Sequence, residues 1–258
     1  MDGVNKTLYI PLFGKSYVSK KGIIIDDKTA ERLWEREGFA LGGKSSSKWL
    51  AYYMGMRARV FDDWVREKIK DNPTASVVHI GCGLDSRVYR VGGACRWYDI
   101  DFPDVIAERR KYFSDSDRYT MLPADARSAD SLAPVLGDVA IVVMEGVSMY
   151  LTPDELLGVF ANIFGRFDKV YLLMDCYTCL AAKMSKIKNP INDVGVTTVY
   201  GMDNPTALTA GGMTYLRELD MTPPELIAEL SRGEQRVFNL LYAGRTARKM
   251  YKLYEYKK

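Results

Sequence analysis

The chain reads as an α/β protein: a mostly parallel sheet with helices on both faces, behind a helical N-terminal segment. Three observations predict this. From Ser76 onward, short apolar runs rich in β-branched residues alternate with helix-like segments, the pattern of right-handed crossover units. Runs such as "SVVHIG" and "AIVVMEG" are apolar at consecutive positions, as strands are when helices cover both faces. The stretch before Asn72 has helical spacing and no strand pattern.

The elements follow in order. "DDKTAERLWEREG" has an acidic start, Ala30, Leu33 and Trp34 at helical spacing, and a stop at Gly38. "SSSKWLAYYMGMRARVFDDWVREKIKDNP" is a longer helix with serine caps, ended by Asn72-Pro73. "SVVHIG", "RWYDID", "AIVVMEG" and "KVYLLMD" are strands, and "PDVIAERRKYF", "SADSLAPVL" and "TPDELLGVFANIFGRF" are the helix-like segments between them. In the tail after Asn189, "GGMTYLREL" and "MYKLYEYK" look like strands around a helical "PPELIAELSRGEQRVFNLLYAG". We divide the chain into a helical cap or lid over residues 1–72 and a ligand-binding core over 73–258, with a substrate-facing insert around 176–212.

Composition bounds the function. The chain has 258 residues, 47% apolar and 27% charged, with a net charge of +3, too small to imply a polyanionic partner. "RTARKMYKLYEYKK" alternates Lys and Tyr as one strand with a wet and a dry face does, so no nucleic-acid partner is expected. "MDGVNKTLYI" lacks the features of a signal peptide, and no apolar run approaches the roughly 20 residues that cross a bilayer, so a cytoplasmic protein without a membrane partner is expected. Cys176 and Cys179 form a C-x-x-C, but Cys82 and Cys95 lie far off and His79 is the single histidine. Buried thiols are expected, and no metal. The sequence carries no signal of oligomeric state.

"VVHIGCGLDSRVYR" runs a strand into a glycine turn, and acidic residues recur where strands end: Asp99 and Asp101, Asp125, Glu145 and Asp175. In open α/β sheets, ligands bind outside these carboxyl ends. Asp101 falls about twenty residues past the first glycine, the spacing at which a carboxylate reaches ribose hydroxyls. Ser86 replaces the third glycine of a dinucleotide fingerprint, and Asp85 would repel a pyrophosphate. Both shift the expectation from NAD towards S-adenosylmethionine (SAM), which has no phosphates and carries positive charge. A structural role as helix caps is the alternative for each single acid.

Four separated motifs then match a family. "VVHIGCGLDSRVYR", "WYDIDFPDVI", "VMEGVSMYLTPDEL" and the N-terminal "LYIPLFGKS" with "RARVFDDWV" resemble the leucine carboxyl methyltransferase family. The likeness is to its bacterial branch, related to a tetracenomycin polyketide O-methyltransferase. It implies a Rossmann-like class I methyltransferase, with a seven-stranded, mostly parallel sheet and an N-terminal helical cap. It further implies SAM as cofactor, with S-adenosylhomocysteine (SAH) as product. By motif, Arg59 and its neighbour Arg57 would hold the cofactor carboxylate, as would Lys15. Gly81 and Gly83 would let the backbone approach, with Asp85 close by. Asp101 would bind the ribose, Asp125 and Ala126 would meet the adenine, and Glu145 would face the amino end. Tyr150 lies just beyond Glu145 and would position the reactants. For the two arginines, ion pairs with Asp62 or Asp63 on the helix surface are the alternative; for Tyr150 it is a core aromatic.

A carboxylate, with a pKa of about 4, needs no general base, whereas a phenol near 10 does. His79 sits inside a strand and is badly placed as a base. The expected activity is therefore O-methylation of a small-molecule acid, polyketide-like or aromatic. Trp49, Tyr52, Tyr53, Met54 and Met56, with Tyr177 and Tyr200 opposite, are candidate walls for the acceptor. Alternatives are a hydroxyl acceptor, a protein C-terminal carboxyl, an NAD-dependent oxidoreductase and a non-catalytic SAM-binding module.

Overall fold

A computed structural model describes residues 8–185 and 198–258. Three helices come first: α1 (Tyr9–Lys20), α2 (Lys28–Glu37) and α3 (Lys48–Asp71). Asp27 caps α2 by accepting the Ala30 N–H, and Ser47 caps α3 through the Trp49 N–H. α1 crosses α3 closely because Gly14 and Gly55 lie at the contact. A Cβ on Gly14 would stand 2.7 Å from that of Met54, and one on Gly55 2.8 Å from Val18.

The sheet has seven strands: β1 (Ser76–Ile80), β2 (Arg96–Asp101), β3 (Tyr119–Pro123), β4 (Val139–Met144), β5 (Lys169–Tyr177), β6 (Thr214–Leu219) and β7 (Tyr251–Lys257). Their order is β3-β2-β1-β4-β5-β7-β6. The first five pair in parallel, and β7 inserts antiparallel to both β5 and β6. Chain order reverses between β1 and β4, so a crevice opens beyond their carboxyl ends, where Gly81 and Glu145 follow.

Alternation along β1 puts Val77 and His79 on one face and Val78 and Ile80 on the other. The first face packs on Phe61 and Trp64 of α3 and Leu33 of α2, within one core. The other packs on Phe160 and Ile163 of α6 (Pro153–Arg166), a helix started by a Thr152/Glu155 capping box. The N-terminal helices thus share a core with the sheet. Between β1 and β2 lies the short α4 (Arg87–Val91), and α5 (Pro103–Arg109) follows β2. α7 (Cys179–Ser185) follows β5, and α8 (Pro224–Ile227), α9 (Arg232–Leu241) and α10 (Arg245–Arg248) precede β7. The expected helix at "SADSLAPVL" is a single 3-10 turn, Ala129–Leu132. Of the expected insert at 176–212, residues 186–197 lie outside the described residues.

Candidate active site

The chain after β1 turns sharply, with Gly81 at φ 69° and Gly83 at φ 51°, conformations that a side chain strains. Neither has room for a Cβ: one on Gly81 would overlap Val147, and one on Gly83 would meet Leu8 at 2.9 Å. The Gly83 N–H donates to Asp101 Oδ2 (2.8 Å), and the Phe102 N–H donates to Oδ1 (2.8 Å). Asp101 is thereby fixed behind the turn. Burial pushes its carboxyl up to about 6, despite these two backbone donors.

A cavity of about 860 Å³ opens from this turn. The glycine turn, Lys15, Arg57, His79, Asp85 and Glu145 line its polar end, and apolar and aromatic side chains line the rest. The polar end is a buried ionic lattice. Arg57, 4% exposed, donates from Nε to Glu145 (2.9 Å) and from Nη1 to Asp175 (3.0 Å) and the Tyr251 hydroxyl (2.9 Å). Its Nη2 donates to no described residue. Glu145 also accepts from Arg87, which pairs with Asp62 at 2.7 Å. Asp85 pairs with Lys15 (3.0 Å) and Arg90 (2.8 Å). Burial alone would raise the Glu145 and Asp85 carboxyls, but these cations outweigh it and hold both well below the usual range.

His79 is 1% exposed. Arg87 Nη1 lies 3.2 Å from Nε2. As guanidinium only donates, Nε2 accepts and Nδ1 carries the proton. Nδ1 has no hydrogen-bond partner, Asp99 Oδ1 standing 3.6 Å away. Burial, then Arg87, lowers the imidazole to about 4, so it is neutral at pH 7.

Comparison with known proteins gives this site its class. The leucine carboxyl methyltransferase family model matches residues 13–164, more than half of the chain. The chain belongs to the leucine carboxyl methyltransferase family. Over 243 residues it is 26% identical to the tetracenomycin polyketide synthesis O-methyltransferase TcmP of Streptomyces glaucescens, covering 92% of this chain and 90% of that one. It is 27% identical over 187 residues to a SAM-dependent methyltransferase of Gibberella zeae, covering 65% of this chain and 62% of that one. Among solved structures, a putative methyltransferase from Thermobifida fusca aligns with TM-score 0.55 at 12% identity, covering 95% of this chain and 94% of that one. A magnesium protoporphyrin IX methyltransferase from Synechocystis with bound SAH aligns at 0.51 and 13%, covering 96% and 99%. These two show the fold, a class I methyltransferase. The protein is a SAM-dependent methyltransferase.

The residues present fit that cofactor. Lys15 and Arg57 offer cations for a carboxylate, and Arg57 Nη2 is unspent. Asp101 keeps lone pairs for a diol, beside a turn that only glycine allows. With Lys15 and Arg57, Gly81, Gly83, Asp85, Glu145 and Tyr150 line the cavity; Asp101 is not among its lining residues and stands behind the turn, on the Gly83 N–H.

Other residues expected at the site have different surroundings. Arg59 is not at the cavity: it pairs with Asp63 at i,i+4 (2.7 Å) and donates to the Ile24 carbonyl on the outer side of α3. Asp85 is not a free charge in the turn, since Lys15 and Arg90 neutralise it, so repulsion of a pyrophosphate is not what distinguishes this site. Glu145 is likewise engaged, by Arg57 and Arg87. Asp125 and Ala126 lie beyond the cavity. Asp125 is held by Arg127 (2.6 Å), and the Ala126 carbonyl accepts from Asn162. Asp99, one of the strand-end acids, is structural, accepting from Arg109, Tyr119 and Trp97. Ser86 donates to Asp27 (2.6 Å), which ties the glycine turn to the cap of α2.

Of the candidate acceptor walls, Tyr53, Met54 and Tyr177 line the cavity, whereas Tyr52 and Met56 are buried in a separate cluster. Trp49 packs against that cluster, and Tyr200 is exposed. Reasoning from sequence missed Tyr242 and Tyr251, which continue the wall. Tyr251 lies 4.9 Å from Tyr177 between ring centroids, and Tyr242 lies 5.4 Å from Tyr53. Cys176 is buried and Cys179 exposed, all four thiols are free, and no metal-binding cluster occurs among the described residues. Nor does any described helix have the length and apolarity to cross a membrane.

Proposed function

We propose that the protein methylates an oxygen of a small-molecule acceptor, a carboxylate, in a reducing cytoplasm. One observation carries this reading: the histidine and both carboxylates that line the cavity, the groups that serve as bases near neutral pH, are all engaged by cations. His79 has its acceptor nitrogen turned to Arg87 and is a weak base. Glu145 is held by two cations and Asp85 by three. Burial raises the phenols of Tyr53 and Tyr251 far above neutrality. An acceptor must therefore arrive already ionised, as a carboxylate does at neutral pH.

When bound, SAM supplies an electrophilic methyl carbon on a sulfonium. The chain's own work is to hold and exclude. Lys15 and Arg57 would bind the carboxylate end and Asp101 the ribose, so that the adenine would lie outside the cavity, past Asp101, where Asp125 and Ala126 follow β3. Tyr150 stands at the cavity wall to orient the acceptor. Bringing the acceptor oxygen within roughly 3–3.5 Å of the methyl carbon is the main source of rate. The apolar walls keep water out, which favours a transition state in which opposite charges cancel.

The test is a SAM-dependent activity screen over aromatic and aliphatic acids and matched phenols, scored for methylated product. Base-labile methyl esters are expected. Products confined to base-stable ethers would refute the carboxylate reading.

A further inference from the structure

The acceptor end of the cavity runs along one face of α3. Ser47, Leu50, Tyr53, Met54 and Arg57 recur at helical spacing and all line it. Arg57 marks the cofactor end. Ser47 stands about 15 Å away along the axis, at 1.5 Å per residue. Just before Ser47, the 3-10 turn Gly43–Ser46 brings Lys44 to the cavity.

The charges of the lining residues single out Lys44. The described lining residues include three cations, Lys15, Arg57 and Lys44, and two acids, Asp85 and Glu145. Lys15 is paired with Asp85, and Arg57 with Glu145 and Asp175. Lys44 is exposed and has no acidic partner among the described residues. It precedes α3, beyond the end of the helix face opposite Arg57. Between the two ends the same face of the helix is apolar or aromatic.

We infer that Lys44 binds a second anionic group of the acceptor, so that the substrate is an elongated apolar acid with acidic groups at both ends. This rests on the small-molecule reading above and names its substrate class. One acid takes the methyl group near the glycine turn, and the other remains unmodified at Lys44. The product is a half-ester.

Calorimetry on the SAH-loaded protein tests it, with biphenyl-4,4′-dicarboxylate and biphenyl-4-carboxylate as probes. The wild type is expected to bind the diacid about two- to five-fold more tightly, the range of an exposed ion pair. Lys44→Ala removes that preference, Lys44→Glu inverts it and Lys44→Arg keeps it, with SAH affinity unchanged throughout. Raising the salt concentration narrows the wild-type preference. Equal binding of the two acids by the wild type, binding of neither, or a preference that survives in Lys44→Ala would overturn the inference. Because the readout is acceptor binding, it stands apart from the ester-or-ether test of the carboxylate reading.

Discussion

Replacing Arg57 and Arg59 separately by alanine distinguishes two near neighbours on α3 with opposite surroundings. Arg57 is buried between Glu145 and Asp175. Removing one partner of a buried ion pair costs about 3–5 kcal/mol. Glu145 keeps Arg87, and Asp175 keeps the Tyr251 hydroxyl and the Gly146 N–H, so the low end, about 3 kcal/mol, is expected. The cofactor loses a charge-assisted hydrogen bond from Nη2, worth ~1.5–3 kcal/mol, or about 10- to 150-fold in Kd. Arg59 has a surface pair with Asp63 and a bond to the Ile24 carbonyl, so Arg59→Ala should cost about 1 kcal/mol or less. Its SAH affinity should stay within about two-fold, since an exposed pair outside the cavity adds little to binding. Urea unfolding gives the stabilities, and calorimetry with SAH, on protein shown to be folded, gives the affinities. A folded Arg57→Ala that binds SAH like wild type, or an Arg59→Ala that loses as much, would refute the placement of the cofactor carboxylate.

Two further outcomes concern pH. The Asp101 carboxylate accepts ribose hydroxyls in its ionised form and has a raised pKa of about 6, so SAH affinity should be full above that pH. It should fall as pH drops through 6, and Asp101→Asn should bind weakly with a flat profile; an unchanged pH dependence in that variant would remove Asp101 from the site. His79 has a folded pKa of about 4, below the ~6.5 of the unfolded chain. The unfolded state therefore takes up the proton first, and stability present above pH 6.5 is lost as pH falls towards 4, by about 2–3 kcal/mol at pH 4.5. In His79→Asn, urea unfolding at pH 7 and 4.5 should show that part of the loss gone, with methyl transfer at neutral pH largely kept. A many-fold loss of activity in folded variant protein would make His79 more than wall.

Much of the frame was legible because it depends on local pattern. β4 is apolar at every position and β1 at three of its five, as in a strand covered on both faces. The glycine turn announced itself through Gly81 and Gly83. The choice between Arg57 and Arg59 was also present in the helical period: Arg57 shares a face with Leu50 and Met54, whereas Arg59 falls in line with Asp63. The resemblance alone did not make that choice. What the sequence could not supply was pairing across distance. Arg57 meets Glu145 and Lys15 meets Asp85 only once α3 and α1 dock on the sheet, so these acids looked free for a ligand. Tyr251 reaches Arg57 because β7 inserts beside β5, a consequence of strand order and not of any local signal.

The contact of Ser86 with Asp27 bears on how such a chain can be inherited or rebuilt. Asp27 starts α2, accepts the Ser86 hydroxyl and receives Arg90 (2.6 Å), so one side chain belongs to two parts of the protein at once. A chimera joined at residue 72 would take Asp27 and Asp62 from Arg87 and Arg90, and Arg57 from Glu145 and Asp175, leaving buried charge short of partners. The helical segment and the sheet are therefore a single unit of exchange. Grafting a new acceptor chamber onto this catalyst means rewriting side chains along α3, not swapping the helices that carry them.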